Sequence, residues 1–362
     1  MRFLPLLLLA LLSGAFAADV SFEGTLEADY GNYLERNFTV NNAANHDLRL
    51  KMNVDMDEKF RVVVGAASKS MYSTENGLEY SRIRHRHAAA PIDSDERWSP
   101  FVFDGISLEW TVKRDLVFIF GDMFYSFGSF NYYLWRNPDY YASVLTTQGL
   151  RGLGVRLGND GYIYVGANNS NDKSGRIAAS YAFVIPGLNQ VNNRFTFAPM
   201  IDLNKGGGRD HHYTFGVDAN YSRSYTDFNY AIRTVYGLHP RKGDNYVNTF
   251  TVEPSFNYKK FSLASTCYWA LLSDEITIDQ TYVLTDETLI YVEPSYSFNK
   301  RFSLGLGGEW HKPGDPEQDN WFMLAPTGYL YPTAGVDLAF WLSFSFGDSY
   351  HPGFGISSSV KF

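Results

Sequence analysis

The sequence contains one cysteine, Cys267, among its 362 residues. A lone cysteine excludes an internal disulfide bond and a metal site built from paired cysteines. The chain also lacks an excess of positive charge. Its formal net charge is −8, and loss of the single positive charge of Arg2 with the N-terminal segment would take it to −9. We therefore expect no nucleic-acid partner.

Long apolar runs and long helical patterns are also missing. The run from Phe3 to Leu12 is shorter than the roughly 20 apolar residues that a helical membrane anchor needs. Arg2 precedes this run and the small-residue site Ala15-Phe16-Ala17 follows it, which is typical of a secretory signal peptide. We predict a cleaved signal peptide over residues 1–17. No linker or composition shift divides the rest, so residues 18–362 are predicted to form a single domain.

Tyrosine, phenylalanine and glycine are abundant, with 26, 28 and 31 residues. This composition favours strands and turns. From Asp19 onward, segments of roughly ten residues alternate apolar and polar side chains, as membrane barrels do. In the clearest segment the apolar face has Leu48, Leu50, Met52, Val54 and Met56, and the polar face has Arg49, Lys51, Asn53 and Asp55. Alternation alone also fits a soluble sandwich with an apolar core.

The connections and the aromatic residues favour a membrane barrel. Tight turns, such as Lys113-Arg114 and Lys259-Lys260, alternate with longer polar stretches, like the short periplasmic turns and long external loops of outer-membrane barrels. Aromatic residues next to these turns suit girdles at the membrane interfaces. With both termini periplasmic, we predict an all-β, transmembrane antiparallel barrel of about 18 strands, with 16 as the alternative. The strands are predicted near 19–30, 46–56, 59–69, 101–112, 115–123, 150–158, 161–169, 176–184, 193–202, 211–222, 225–237, 247–258, 260–271, 287–298, 301–311, 321–331, 334–345 and 352–362.

The final strand resembles the C-terminal signature of Gram-negative outer-membrane proteins. It ends Ser357-Ser358-Ser359-Val360-Lys361-Phe362, with Phe354, Ile356, Val360 and Phe362 on one face. The resemblance implies an outer-membrane location with lipid around the barrel. It also implies that the barrel-assembly machinery is a partner that reads this strand, with Phe362 as the assembly signal.

A second resemblance is to the flanks of the constriction loop in porins. It is carried by Phe120-Gly121-Asp122-Met123-Phe124 and by Leu150-Arg151-Gly152-Leu153-Gly154-Val155. The resemblance implies that the third external loop, Phe124 to Gly149, folds into the pore. The predicted constriction residues are Phe124, Tyr125, Phe127, Phe130, Tyr132, Tyr133, Trp135, Arg136, Tyr140 and Tyr141. Their rings either contact a sugar or aromatic solute, or pack against the wall or a neighbouring subunit. Large porins resemble one another in being trimers, so a homotrimer is one assembly to consider.

The polar face of the strands predicts a charged pore wall. Its basic residues in the first half of the chain are Arg49, Lys51, Arg61, Arg156, Arg176 and Arg194, and its acidic residues in the second half are Glu253, Glu293 and Glu309. Opposed charges of this kind would sort solutes by charge and dipole; the alternative is hydrated wall residues that satisfy one another. The predicted function is a water-filled channel for passive diffusion of small solutes, including ions and sugars. The alternative is a structural or adhesive barrel with a plugged lumen and functional external loops.

Neither catalysis nor metal binding is expected. No serine–histidine nucleophile arrangement, phosphate loop or metalloprotease helix is recognisable, so we predict no enzyme and no cofactor. All eight histidines are expected at or beyond the external rim as solvated loop residues. They are His46, His85, His87, His211, His212, His239, His311 and His351.

A short sequence repeat occurs in two of the predicted hairpins. Val252-Glu253-Pro254-Ser255, leading to Lys260-Phe261-Ser262-Leu263, recurs as Val292-Glu293-Pro294-Ser295, leading to Arg301-Phe302-Ser303-Leu304. The repeat suggests duplicated hairpins.

Overall fold

The computed structural model describes residues 18–34, 40–73, 77–79, 102–126, 147–158, 160–168, 174–184, 193–205, 211–240, 246–272, 276–278, 282–284, 286–314, 319–346 and 351–362. The predicted signal peptide lies outside these ranges. Among the described residues, no helix is long and apolar enough to span a membrane. All regular secondary structure in these ranges is β.

The described ranges contain 22 strands. In chain order they are β1 (Asp19–Leu34), β2 (Val40–Asp55), β3 (Phe60–Ser73), β4 (Gly77–Glu79), β5 (Val102–Lys113), β6 (Leu116–Ser126), β7 (Thr147–Leu157), β8 (Gly161–Asn168), β9 (Ser174–Tyr181), β10 (Phe183–Val184), β11 (Asn193–Lys205), β12 (His211–Ser224), β13 (Phe228–Pro240), β14 (Tyr246–Tyr258), β15 (Phe261–Leu272), β16 (Ile276–Ile278), β17 (Tyr282–Leu284), β18 (Glu287–Asn299), β19 (Phe302–Lys312), β20 (Trp321–Thr333), β21 (Val336–Phe346) and β22 (His351–Lys361).

The long strands form one closed ring. The main sheet of the described residues has 20 strands, and leaving out the short β4 and β10 gives 18; the short β16 and β17 pair only with each other. Each long strand pairs antiparallel with the next long strand along the chain, and β1 pairs with both β2 and β22. Closure removes the free edges of the sheet. The predicted 18-stranded barrel is confirmed, and the 16-stranded alternative is not.

The seam between β1 and β22 includes the last residue of the sequence. The Gly24 N–H donates to the Phe362 carbonyl oxygen at 2.8 Å, and the Phe362 N–H donates to the Gly24 carbonyl oxygen at 3.1 Å. A Cβ at position 24 would lie 2.5 Å from the Phe362 ring. The ring therefore occupies the space that the absent side chain leaves.

The two faces of the sheet have opposite character. Leu26 on β1 lies opposite both Leu48 and Val360, whereas Glu23 lies opposite Lys51, so the apolar and charged sets of neighbouring strands fall on separate faces. Outward side chains with large exposed apolar surface include Val20, Phe22, Leu153, Ile163, Val165, Leu304, Leu306, Phe340, Leu342, Phe354 and Ile356. An apolar belt around a closed barrel is a surface suited to lipid. The alternation predicted for β2 is thus confirmed, with its apolar set outward.

The tight turns among the described residues lie at the end of the barrel that holds Asp19 and Phe362, which we call the turn end; the opposite end is the loop end. Turns at 56–59, 114–115, 225–227, 259–260, 300–301 and 334–335 each join two barrel strands. Lys259 has a φ of 51°, the left-handed conformation that a two-residue hairpin turn requires. Stacked rings near this end, such as Phe298 on Phe302 at 5.5 Å, match the predicted girdle.

Short turns on one side predict the orientation of the barrel: the turn end is periplasmic and the segments 72–98 and 239–245 are external. Single-cysteine variants Gly243→Cys and Lys259→Cys, made in a Cys267→Ser background, test this on intact cells with a membrane-impermeant thiol reagent. We expect labelling at position 243 only. Labelling at position 259 without labelling at 243 would reverse the orientation.

Candidate functional site

The inward side chains of the barrel form the candidate site, because a barrel of this size has room for solute inside its wall. Two of the predicted basic wall residues are held by carboxylates on their own or the neighbouring strand. Arg49 donates to both oxygens of Asp47, at 3.0 and 2.8 Å, and Arg61 donates to both oxygens of Asp55, at 2.5 and 3.2 Å. Paired donors of this kind fix the guanidinium plane against the wall.

Two more basic residues are paired across strands. Arg156 donates to both oxygens of Glu109 at 3.2 and 3.0 Å, although β6 lies between their strands. Lys51 lies 3.5 Å from Glu23, its direct partner in the β1–β2 register. Four of the six predicted basic wall residues are therefore compensated locally. The electric field across the lumen is therefore weaker than the positive charges of the basic residues alone would produce.

The remaining two basic residues differ from these. Arg176 lies over the ring of Tyr125, 5.5 Å from its centroid, and Arg194 is exposed on the inward face of β11. The cation over Tyr125 is held by the negative face of the ring.

The acidic residues of the opposite wall are buried towards the loop end. Glu253 and Glu309 have almost no exposed surface, while Glu293, nearer the turn end, is half-buried. Glu253 accepts a hydrogen bond from Thr266 at 3.2 Å and lies 3.7 Å from Arg233, which also pairs with Asp218 at 2.7 Å.

His311 contradicts the expectation that the histidines are solvated loop residues. It lies on β19, points inward and is fully buried, with Nε2 2.8 Å from Oε1 of the equally buried Glu287. Its ring meets Trp321 edge to face at 5.5 Å. His46, His211, His212, His239 and His351 also lie on strands, and His85 and His87 fall outside the described residues. The expectation failed for His311 because Glu287 and Trp321 on the neighbouring strands cover its ring, and the pattern of a single strand does not reveal such partners.

The wall around His311 is closed to lumen water. Inward side chains of β14, β15 and β18 to β20 with little or no exposed surface include Val247, Thr249, Thr251, Thr266, Tyr268, Leu289, Tyr291, Met323 and Ala325. Inward side chains that lack exposed surface cannot line an open passage. The loop-end half of this wall is therefore filled.

A second buried cluster is apolar and lies on the inward face of β6 to β9, β11 and β13. Its members are Val117, Ile119, Met123, Tyr125, Leu150, Tyr164, Ala178, Met200 and Val235, with Tyr162 packed against them. The rings of Tyr162 and Tyr164 stack at 4.6 Å. This part of the inner wall is apolar and buried.

The predicted constriction segment is described only at its start. Because β6 continues to Ser126, Phe124 and Tyr125 are strand residues. Tyr125 points inward into the apolar cluster, whereas Phe124 is 37 % exposed on the outward face, which corrects its predicted place in the constriction. Phe127, Phe130, Tyr132, Tyr133, Trp135, Arg136, Tyr140 and Tyr141 lie outside the described residues.

The two flanks that resemble porins meet in the structure. Gly121 pairs with Gly152, and Asp122 pairs with Arg151, in the β6–β7 register. Arg151 donates to Asp122 at 2.7 and 3.0 Å, and the backbone N–H of Ile106 donates to the same carboxylate at 2.8 Å. Gly121 has a φ of 117°, outside the range that side chains normally allow. The buried Asp122 thereby ties together β5, β6 and β7 at the base of segment 127–146.

Two cavities lie against the described part of the barrel wall. A cavity of about 590 Å³ is lined by charged residues of β1, β2, β5 and β7 and by apolar residues that include Leu50, Ile119, Phe124 and Phe362. Its charged lining includes Glu23, Arg49, Lys51, Glu109 and Arg156. A smaller recess of about 260 Å³ lies on β14, β15 and β18 to β20, beside Glu293. The larger cavity thus lies against the paired charges, and the smaller recess lies near the turn end of the wall whose loop-end half is buried.

Comparison with known proteins gives a match in fold. No protein-family model and no curated protein sequence matches the chain. Among solved structures, Pseudomonas aeruginosa OpdK with vanillate has 11 % identity and a TM-score of 0.55, over 94 % of this chain and 98 % of that chain. OccK9 (OpdG) of the same species has 11 % identity and a TM-score of 0.53, over 95 % and 99 %. Acinetobacter baumannii OccAB2 has 11 % identity and a TM-score of 0.54, over 95 % and 98 %.

Sequence identity this low supports a similarity of fold and nothing more. The closed ring and the apolar belt agree with it, and they fit the outer-membrane location that the final strand implied. The chain therefore has the closed antiparallel β-barrel fold of these solved structures.

Proposed function

We propose that the barrel is a channel for passive diffusion of small polar solutes. The observation that carries the proposal is the cavity of about 590 Å³ with a charged lining on one side of the lumen, opposite a wall whose loop-end half is buried. The path is eccentric, since solute would pass along β1, β2 and β5. Ions and small organic solutes are the class that fits such a lining, because its paired charges solvate polar groups of either sign.

The paired charges bear on selectivity. Arg49, Arg61 and Arg156 each have a carboxylate within hydrogen-bond distance, so this side presents alternating charges rather than one sign. An alternating lining interacts with dipoles and zwitterions as well as with simple ions. We propose weak selectivity between small cations and anions for this side of the path. Conductance of the purified protein in a planar bilayer tests the channel, and a barrel that inserts but does not conduct would contradict it.

The predicted third loop is proposed to narrow this path. A deletion of Ser129 to Tyr141 is expected to raise single-channel conductance while the barrel stays folded, because a ring-rich segment of this length avoids water by burying itself. Trp135→Ala with Tyr133→Ala is the matched change that keeps the length of the segment. If the rings stack on solute, this pair weakens the current block by added sugars. A correctly folded deletion variant with unchanged conductance would contradict the constriction.

A plugged, structural or adhesive barrel is the second candidate. The buried loop-end wall around His311 and the apolar cluster on β6 to β9, β11 and β13 favour it, because both fill space that a wide pore would leave open. It predicts insertion without conductance, in the wild-type chain and in the deletion variant. Conductance in the wild-type chain separates the two candidates.

A further inference from the structure

The two copies of the sequence repeat lie next to each other on the inner wall of the barrel. They form the hairpins β14–β15 and β18–β19, and the copies are neighbours because β15 pairs with β18. Ser262 of the first copy lies directly opposite Ser295 of the second. Both serines point inward, with Ser255 and Ser303 on the flanking strands. The repeat thus places four hydroxyl groups on one patch of the lumen wall.

This patch lines the recess of about 260 Å³, together with Asn257, Glu293 and Tyr329. The lining residues are half-buried or exposed, apart from Ser303, whereas the same strands are buried towards the loop end. The recess is therefore in contact with lumen water near the turn end. Its lining has hydroxyl, amide and carboxylate groups, and it includes no lysine or arginine.

The glutamates of the two repeat copies have different hydrogen-bond and charge partners. Glu253 of the first copy lies 3.7 Å from the cation of Arg233. Glu293 of the second copy accepts hydrogen bonds from two phenols, from Tyr329 at 2.5 Å and from Tyr291. Among the described residues, Glu293 forms no ion pair. Phenol hydroxyl groups orient the carboxylate but leave its negative charge uncompensated.

The neighbouring strand makes room for this carboxylate. A Cβ at position 305 would overlap with Oε1 of Glu293 and would lie 3.1 Å from the Tyr329 ring. Glycine at position 305 therefore allows the carboxylate to lie against β19, where both phenols reach it. The site is formed by three strands, and its carboxylate is oriented before any solute arrives.

We propose that this recess binds the ammonium group of small hydroxylated solutes, with Glu293 as the charge partner and Ser262 and Ser295 as hydrogen-bond partners. An ammonium group supplies the positive charge that Glu293 lacks and donates up to three hydrogen bonds. A volume of about 260 Å³ accommodates a molecule the size of an amino sugar. The proposal rests on the channel function and adds to it a solute-binding step on the lumen wall across from β1, β2 and β5.

Equilibrium binding to the detergent-folded protein tests the recess without relying on conductance. Glucosamine at pH 6 and glucose are the paired probes, since they share a ring and differ in the ammonium group. At low ionic strength, where exposed charges are least screened, we expect glucosamine to bind about tenfold more tightly than glucose. Calorimetric titration or ligand-observed nuclear magnetic resonance measures both probes.

Three variants locate the site. Glu293→Gln removes the charge at nearly constant size, and Ser295→Leu fills the recess while leaving Glu293 in place. Both are expected to weaken glucosamine binding about tenfold. Glu27→Gln is the matched control, because Glu27 is an exposed carboxylate on β1 that lines neither the larger cavity nor the recess, and binding is expected to stay unchanged. Heat-modifiable migration confirms that each variant is folded.

Equal binding of glucose and glucosamine would overturn the proposal, as would wild-type affinity in folded Glu293→Gln. Wild-type affinity in folded Ser295→Leu would overturn it too, since the probe would then lie elsewhere. Conductance is measured separately in the wild-type chain. A conducting barrel that does not bind glucosamine refutes the recess alone, and a barrel that binds glucosamine but does not conduct refutes the channel alone.

Discussion

Replacement of Gly121 by alanine is expected to remove most of the folded barrel. The backbone of Gly121 has a φ of 117°, which costs any other residue about 1–3 kcal/mol in conformational strain. A Cβ there would also overlap with the carbonyl oxygen of Ile106, a backbone atom held in β5. The Asp122 carboxylate beside it ties β5, β6 and β7 together, so displacement of β6 would release all three strands.

Folding into detergent micelles, followed by electrophoresis with and without heating, measures the folded fraction of the Gly121→Ala variant. Gly175→Ala is the matched control, because nothing lies within 4 Å of a Cβ built at that position. The control is expected to fold like the wild-type chain. Equal folded fractions for both variants and the wild-type chain would show that β6 tolerates a side chain at position 121.

The second large effect is expected at His311. Replacing His311 with alanine leaves the Glu287 carboxylate buried without its 2.8 Å partner, and breaking a buried pair of this kind costs about 3 kcal/mol or more. The free energy of unfolding of His311→Ala should fall by about that amount. Intrinsic fluorescence of the seven tryptophans, which include Trp321 beside the His311 ring, measures this change during urea titration in lipid vesicles.

The control for His311 is an exposed pair on the opposite wall. The side chains of Lys51 and Glu23 are 47 % and 64 % exposed and lie 3.5 Å apart. Lys51→Ala should therefore change the free energy of unfolding by less than about 1 kcal/mol. An effect at His311 no larger than the effect at Lys51 would mean that the buried wall does not depend on this contact.

The arrangement of the strands could be predicted because its determinants are local. A polar and an apolar residue alternate along each strand, and a two-residue turn such as Lys259-Lys260 joins strands that lie next to each other in the chain. The 18 predicted strands each coincide with an observed long strand, and the observed strands β1 and β2 extend further towards the loop end. The alternation did not predict the extra length of β2, because the strand continues through consecutive polar residues such as Asn41 and Asn42.

The site was predictable only as a set of inward positions. Arg49, Arg156 and Glu293 lie on the inward face, as the alternation predicted. Their partners depend on which strands are adjacent and on the register between them. Glu109 reaches Arg156 across β6, a contact between residues 47 positions apart, and Tyr329 reaches Glu293 from a strand 36 positions away.

By itself, the sequence determined the export signal to expect, the strand periodicity, the turns and the outward position of the apolar residues, since each of these follows from residues within about ten positions of one another. The tertiary structure alone decided which charges are paired, that Phe124 points outward, that His311 is buried against Glu287, and that the two repeat copies share one recess. Closing the ring brings distant strands into register, and burial and ion pairing arise only from that register.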